Sequence, residues 1–144
     1  MGVPIVRLSA DDLTTLATDR GSVPMQIGAV LLLDEESSPT AAELVSVVEQ
    51  RLSRLPRLRE RLRRPPPGLG RLFWEVAPED RSGPVTLAAT TADDAGLVDA
   101  AAEDVVRRLP RDRPLWRAVV YADAAGRARA VVVVMHHVVA DGIG

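Results

Sequence analysis

The chain has 144 residues, 47% hydrophobic and 26% charged, with a formal net charge of −2. This is one domain's worth of chain, long enough to bury a real core, and its charge gives no general attraction to nucleic acid. The absence of cysteine excludes disulfides, thiolate metal sites and a thiol nucleophile, and it fits a reducing compartment.

Residues 9–19 read as a first helix, with Ser9 as N-cap, Asp12 three residues on, and Leu13 and Leu16 on one face. Gly21 and Pro24 break it. Residues 25–33 are almost continuously apolar and predict a strand buried on both faces. After a polar loop, residues 40–55 give the clearest helix. Thr40 and Glu43 have capping-box spacing, and Leu44, Val47, Val48, Leu52 and Leu55 form one stripe. Pro56 interrupts it, and residues 56–62 suggest a separate turn or short helix.

The triple proline at 65–67 and Gly68 to Gly70 form a stiff loop. Residues 72–76 and 85–89 predict short strands. Residues 93–109 predict another amphipathic helix, with Leu97, Val98, Ala101, Val105 and Leu109 inward. Its acidic start and Arg107-Arg108 end suit the helix dipole, and Pro110 stops it. Residues 115–122 and 128–135 predict the strongest strand pair, joined by a turn over 123–127. This order predicts an α/β or α+β sandwich with helices covering a mostly antiparallel or mixed sheet.

The chemistry concentrates at the end of that hairpin. The valine-rich strand runs into His136 and His137, the only two histidines in the chain, and then into Asp141 and Gly142. Adjacent side chains on an extended segment point to opposite faces, so one histidine can face a given site. A neutral imidazole can take a proton at cellular pH, as activation of a hydroxyl requires. Asp141 could orient an imidazole or pair with an arginine to brace the loop. Gly142 leaves room for a close approach. The competing reading is a pair of satisfied core histidines. A zinc or iron site would need further ligands, and there is no other histidine and no cysteine.

All eighteen basic residues are arginine, and eight fall within residues 51–71, opposed there only by Glu60. Attraction to phosphates or to anionic headgroups is one reading. The solvated face of a helix is the favoured one, because arginine is the only cation available. Phe73, Trp74, Trp116 and Tyr121 are the whole aromatic inventory and offer no stacking surface for nucleic acid, and Trp116 reads as core. No phosphate loop and no GxSxG elbow is present. No run reaches the roughly 18 apolar residues of a membrane span, and the first residues do not read as a signal peptide. The expectation is a cytoplasmic protein that can meet a membrane from the side.

The residues HHVVADG resemble the HHxxxDG signature of the CoA-dependent acyltransferase superfamily, which includes chloramphenicol acetyltransferase and condensation domains. The rest of the chain resembles the N-terminal part of the bacterial wax ester synthase/diacylglycerol acyltransferase family. Leu8 to Asp12 is similar to its Leu-Ser-Pro-x-Asp, and Pro24 to Gly28 to its Pro-Met-His-Val-Gly. Pro56 to Leu62 is similar to its Pro-x-Leu-Arg-x-Arg-Leu, Gly70 to Trp74 to a Gly-x-x-x-Trp, and Arg113 to Trp116 to its Arg-Pro-Leu-Trp. Departures stand at Thr15, where an aromatic is common, at Gln26, usually His, and at Pro110, usually acidic. Ser82 to Val85 replaces the family's usual pieces after Trp74.

The resemblance implies a chloramphenicol-acetyltransferase-like N-terminal domain over residues 1–144, stopping just after the motif. It implies His137 as general base, His136 as support, Asp141 as a structural anchor and Gly142 as space. It implies acyl-CoA as substrate, diacylglycerol or a fatty alcohol as acceptor, and no metal or prosthetic group. A missing C-terminal domain would complete the substrate tunnel, so the fragment alone is expected to be inactive. Contact with a membrane or lipid droplet is a further implication. The alternatives are a condensation-type domain with carrier-bound substrates, or an inactive binding module.

Overall fold

The computed structural model describes residues 5–78, 84–90 and 93–139. Side-chain caps start each helix. Ser9 Oγ accepts the Asp12 N–H, and the Asp12 carboxylate accepts the Ser9 N–H, both at 3.0 Å. This reciprocal box opens α1 (Ala10–Thr18). Thr40 and Glu43 repeat it ahead of α2 (Ala41–Leu52). Asp93 caps α3 (Asp94–Val106) by accepting the Gly96 N–H.

The strands form two sheets. β1 (Val6–Arg7), β3 (Glu60–Arg63) and β4 (Phe73–Val76) make a small antiparallel sheet in the order β1-β4-β3. β2 (Gln26–Leu32), β5 (Val85–Ala89), β6 (Trp116–Ala122) and β7 (Ala128–His136) make the main sheet, in the order β2-β7-β6-β5. Only the β5–β6 pair is parallel, and α3 lies between those two strands in sequence. The mixed sheet covered by helices is therefore as the sequence predicts.

The central strands β6 and β7 are covered on both sides, which suits unbroken runs of Val and Ala. Val119, Tyr121, Val132 and Val134 pack with Leu16 of α1 and Leu97 and Ala101 of α3. Ala118, Val120 and Val131 pack with Ala41 of α2, against Leu58 and Trp116. Trp116 is core, as expected, and its indole N–H donates to the Leu58 carbonyl at 2.7 Å. Tyr121 O–H donates to buried Asp104 at 2.6 Å and ties α3 to β6. Burial and then the Asp104 carboxylate push the Tyr121 phenol up to about 12.

Four expectations are corrected. The segment at 25–33 is an edge strand rather than a strand buried on both faces; Leu31 is 54% exposed and Leu32 44%. An apolar run marks a strand suited to burial and does not say which neighbours it receives. The turn or short helix expected over 56–62 is present as a 3-10 turn (Pro56–Arg59), but it covers only the first four residues and runs straight into β3. The helix expected over 40–55 ends at Leu52, leaving Leu55 exposed. Val47 and Val98 are partly exposed although they sit on the apolar stripes. β1 is too short to leave a periodic signal.

Gly28 sets the distance between β2 and α3. A Cβ there would lie 2.2 Å from Val105 Cγ2 and 3.2 Å from Val105 Cβ. Valine is stiff at χ1 and cannot swing clear. Gly28→Ala should cost about 1–3 kcal/mol, as overpacking does. A urea midpoint equal to that of the parent would contradict this close packing.

Candidate active site

The two histidines leave the end of β7 in different environments. His136 is 2% exposed. Its backbone N–H donates to the Leu115 carbonyl at 3.0 Å, which fixes the strand end on β6. Its Nδ1 accepts the Val138 N–H at 3.1 Å. A nitrogen that accepts carries no proton, so the neutral ring is protonated at Nε2. That Nε2 lies 3.3 Å from Asp19 Oδ2 and donates to it. Both ring nitrogens are thus occupied. Burial pushes the His136 imidazolium below the ordinary histidine value, and Asp19 only partly offsets it.

Asp19 is the hub that the sequence reading missed. It follows α1 directly, is buried, and its two oxygens take four donors. Oδ1 accepts the Met25 N–H at 2.9 Å and Arg108 at 2.8 Å. Oδ2 accepts Arg111 at 3.0 Å as well as His136. Burial alone would raise the carboxyl, but the Met25 N–H, Arg108, Arg111 and His136 together hold it well below the usual carboxylate range. One carboxylate therefore joins the end of α1, the entry to β2, the segment after α3 and the end of β7. The clue was available: an acid at a helix C-terminus opposes the helix dipole, and such a charge needs a tertiary partner.

Gln26, one of the departures, is a second clamp. It stands opposite His136 in the β2–β7 register. Its amide nitrogen donates to the Val105 and Arg107 carbonyls at 2.7 and 3.1 Å, and its oxygen accepts the Leu109 N–H at 2.8 Å. A glutamine supplies donor and acceptor together, as this position uses. Thr15 is half-buried on α1.

His137 differs on every count. Its backbone N–H donates to the Met25 carbonyl at 2.9 Å, which positions the residue. Its side chain is half-buried, and no hydrogen bond to the described residues holds the ring. Asp141 and Gly142 lie outside the described residues. Of the four sequence-predicted residues, the structure thus describes the two histidines, one held at both ring nitrogens and one whose ring makes no hydrogen bond to the described residues.

Two concavities lie among the described residues, and one of them is near the site. An apolar pocket of about 270 Å³ borders the start of β6, which pairs with the β7 end that carries His136, and is lined by Pro84, Leu109, Pro110, Pro114 and Trp116 among others. A larger, acidic cleft of about 840 Å³ is lined by Glu35, Glu36, Asp94 and Arg129. Arg129 is at the opposite end of β7, roughly 23 Å from His136 at strand rise, so this cleft is remote from the double histidine.

Solved structures define the class of fold. A wax ester synthase/diacylglycerol acyltransferase from Marinobacter aquaeolei superposes with a TM-score of 0.71 at 20% identity, over 96% of this chain and 36% of that one. The first condensation domain of the CDA synthetase gives 0.68 at 16% identity, over 93% and 34%. At these identities the likeness is one of fold, the one wax ester synthases and condensation domains share. Sequence narrows it: residues 8–144 match the "Wax ester synthase/diacylglycerol acyltransferase catalytic domain". The chain belongs to that family.

Among curated relatives of Mycobacterium tuberculosis, the probable diacylglycerol O-acyltransferase tgs3 is 27% identical over 96% of this chain and 53% of its own length. The probable diacylglycerol O-acyltransferase tgs1 is 33% identical over 84% of this chain and 27% of its own length. The chain thus spans about half of one relative and about a quarter of the other.

Proposed function

We propose that this chain supplies the general base of an O-acyltransferase that moves a fatty acyl group from acyl-CoA to diacylglycerol or a long-chain alcohol. The observation that carries the reading is the unequal pair of histidines: His136 is saturated and buried, and the His137 ring makes no hydrogen bond to the described residues. The His137 imidazole removes the acceptor hydroxyl's proton as that oxygen attacks the thioester carbonyl carbon. The tetrahedral intermediate collapses, the C–S bond breaks, and the CoA thiolate takes the proton back from the imidazolium. No metal or prosthetic group enters these steps. His136 holds the strand end, Asp141 anchors the following loop and Gly142 leaves space for substrate. The apolar pocket beside Pro114 and Trp116 suits part of an acyl chain.

A second domain of a longer enzyme completes the substrate tunnel in this reading, and the 144-residue chain alone does not turn over. No helix among the described residues is long and apolar enough to cross a membrane. The enzyme meets its lipid acceptors from the cytoplasm, at a membrane or droplet surface. The fold is also that of condensation domains, and the second reading is a domain that takes carrier-bound acyl groups.

The test is acyl transfer by a form of the protein extended to the length of its relatives. The donors are acyl-CoA or an acylated carrier protein, offered with diacylglycerol or hexadecanol. Ester formed from acyl-CoA supports the lipid reading. Transfer only from the carrier supports the condensation reading. No transfer from either, with the fold intact, leaves the binding-module reading.

A further inference from the structure

The arginine-rich segment is not the solvated side of a helix. Residues 51–71 hold eight arginines against Glu60 alone, in a chain whose total charge is −2. Only Arg51 lies on α2, and the run continues through the 3-10 turn and β3 into the loop before β4. Phe73 on β4 stands opposite Arg7 on β1 and Arg63 on β3. Opposed residues in antiparallel pairs share a face, so exposed arginines flank a half-buried phenylalanine on both sides. Trp74 and Leu62 pack into the core from the other face.

The neighbouring loop is rigid. The Leu69 N–H donates to the Pro66 carbonyl at 3.1 Å, closing a turn with Pro67 and Gly68 at its centre. Gly68 has φ 85°, which this turn requires after a proline. Gly70, at φ 104°, lets the Arg7 guanidinium lie against it and donate to the Leu69 and Arg71 carbonyls at 3.4 and 3.3 Å. Leu69 is left 63% exposed at the tip, between exposed Arg64 and Arg71. Ion pairs take up Arg57 and Arg61, through Glu60 and Glu75. Among the described residues, Arg63, Arg64 and Arg71 have no acidic partner.

We propose that this face docks on an anionic lipid surface. Headgroup phosphates meet Arg63, Arg64 and Arg71, while Leu69 and Phe73 enter the acyl boundary. Guanidinium groups suit phosphate oxygens, and basic charge combined with exposed apolar side chains is what interfacial binding needs. A site for a small soluble phosphate would need concavity and would gain nothing from a leucine held out on a stiff turn. The inference rests on the lipid-substrate reading for its purpose, not for its geometry.

Flotation with vesicles tests it. The chain should float with phosphatidylcholine vesicles that contain an equal share of phosphatidylglycerol. It should not float with phosphatidylcholine alone, and added salt should release it. The triple variant Arg63→Gln, Arg64→Gln, Arg71→Gln should bind roughly a hundredfold more weakly. Leu69→Ser should bind roughly tenfold more weakly with the salt dependence kept. All four are exposed side chains, and circular dichroism checks that the variants fold. Equal flotation with both vesicle types, or parent-like binding by the triple variant, would overturn the proposal. So would binding of free CoA at these arginines with no vesicle binding. Acyl transfer plays no part in the assay, so either reading can fail without the other.

Discussion

Replacing Asp19 with alanine should cost about 3 kcal/mol of stability, measured by urea denaturation at neutral pH. The loss leaves a buried histidine N–H and the Met25 N–H without an acceptor, and two arginines without their counter-ion. Arg108 and Arg111 keep 43% and 50% of their side chains in water. Solvent screens part of their share, which is why the estimate sits at the low end for breaking a buried pair. Even so it is a large part of the roughly 5–15 kcal/mol that holds a domain together. Asp19→Asn keeps one acceptor oxygen and should lose less.

The same network gives a pH signature. Asp19 is held below its ordinary value of 3.8, so the folded chain binds that proton less readily than the unfolded chain. Its contribution is present above that value and lost as pH falls below it. His136 is also held below its ordinary 6.5, so its contribution is present above 6.5 and declines as pH falls through it. Stability should therefore fall in two acid steps, and Asp19→Asn should shrink the lower one.

His137→Ala, in an extended form that transfers acyl groups, should lower kcat by roughly 10²–10⁴ with little change in KM, the usual worth of a positioned base. The folded state should be nearly unaffected, because no hydrogen bond to the described residues depends on that ring. Retention of parent activity would remove His137 from the reaction.

Local signals made much of this architecture legible. Ser9 with Asp12 and Thr40 with Glu43 name their own helix starts, and the hairpin of β6 and β7 follows from two valine-rich runs around a Gly-containing turn. These are contacts between residues three to nineteen apart, where residue type and spacing carry the physics. The HHxxxDG resemblance points to a candidate site for the same reason: the two histidines are adjacent in the chain at the end of β7. What stayed hidden depends on distance. Asp19 meets His136 across 117 positions, and Gln26 reaches Arg107 across 81. Neither pairing leaves a periodicity to read. The exposure of β2 was hidden because apolarity does not encode sheet position, and β3 because PRLRERL alternates too briefly to separate strand from turn.

The division of labour between the two histidines is tested most directly by ¹⁵N NMR of their imidazoles, since the chain holds only two. His137→Ala assigns the signals. At neutral pH one ring should be locked as the Nε2–H tautomer, persist in His137→Ala and shift in Asp19→Asn. The other should show no fixed tautomer and vanish in His137→Ala. A locked ring that disappears with His137, leaving His136 mobile, would reverse the assignment of support and base.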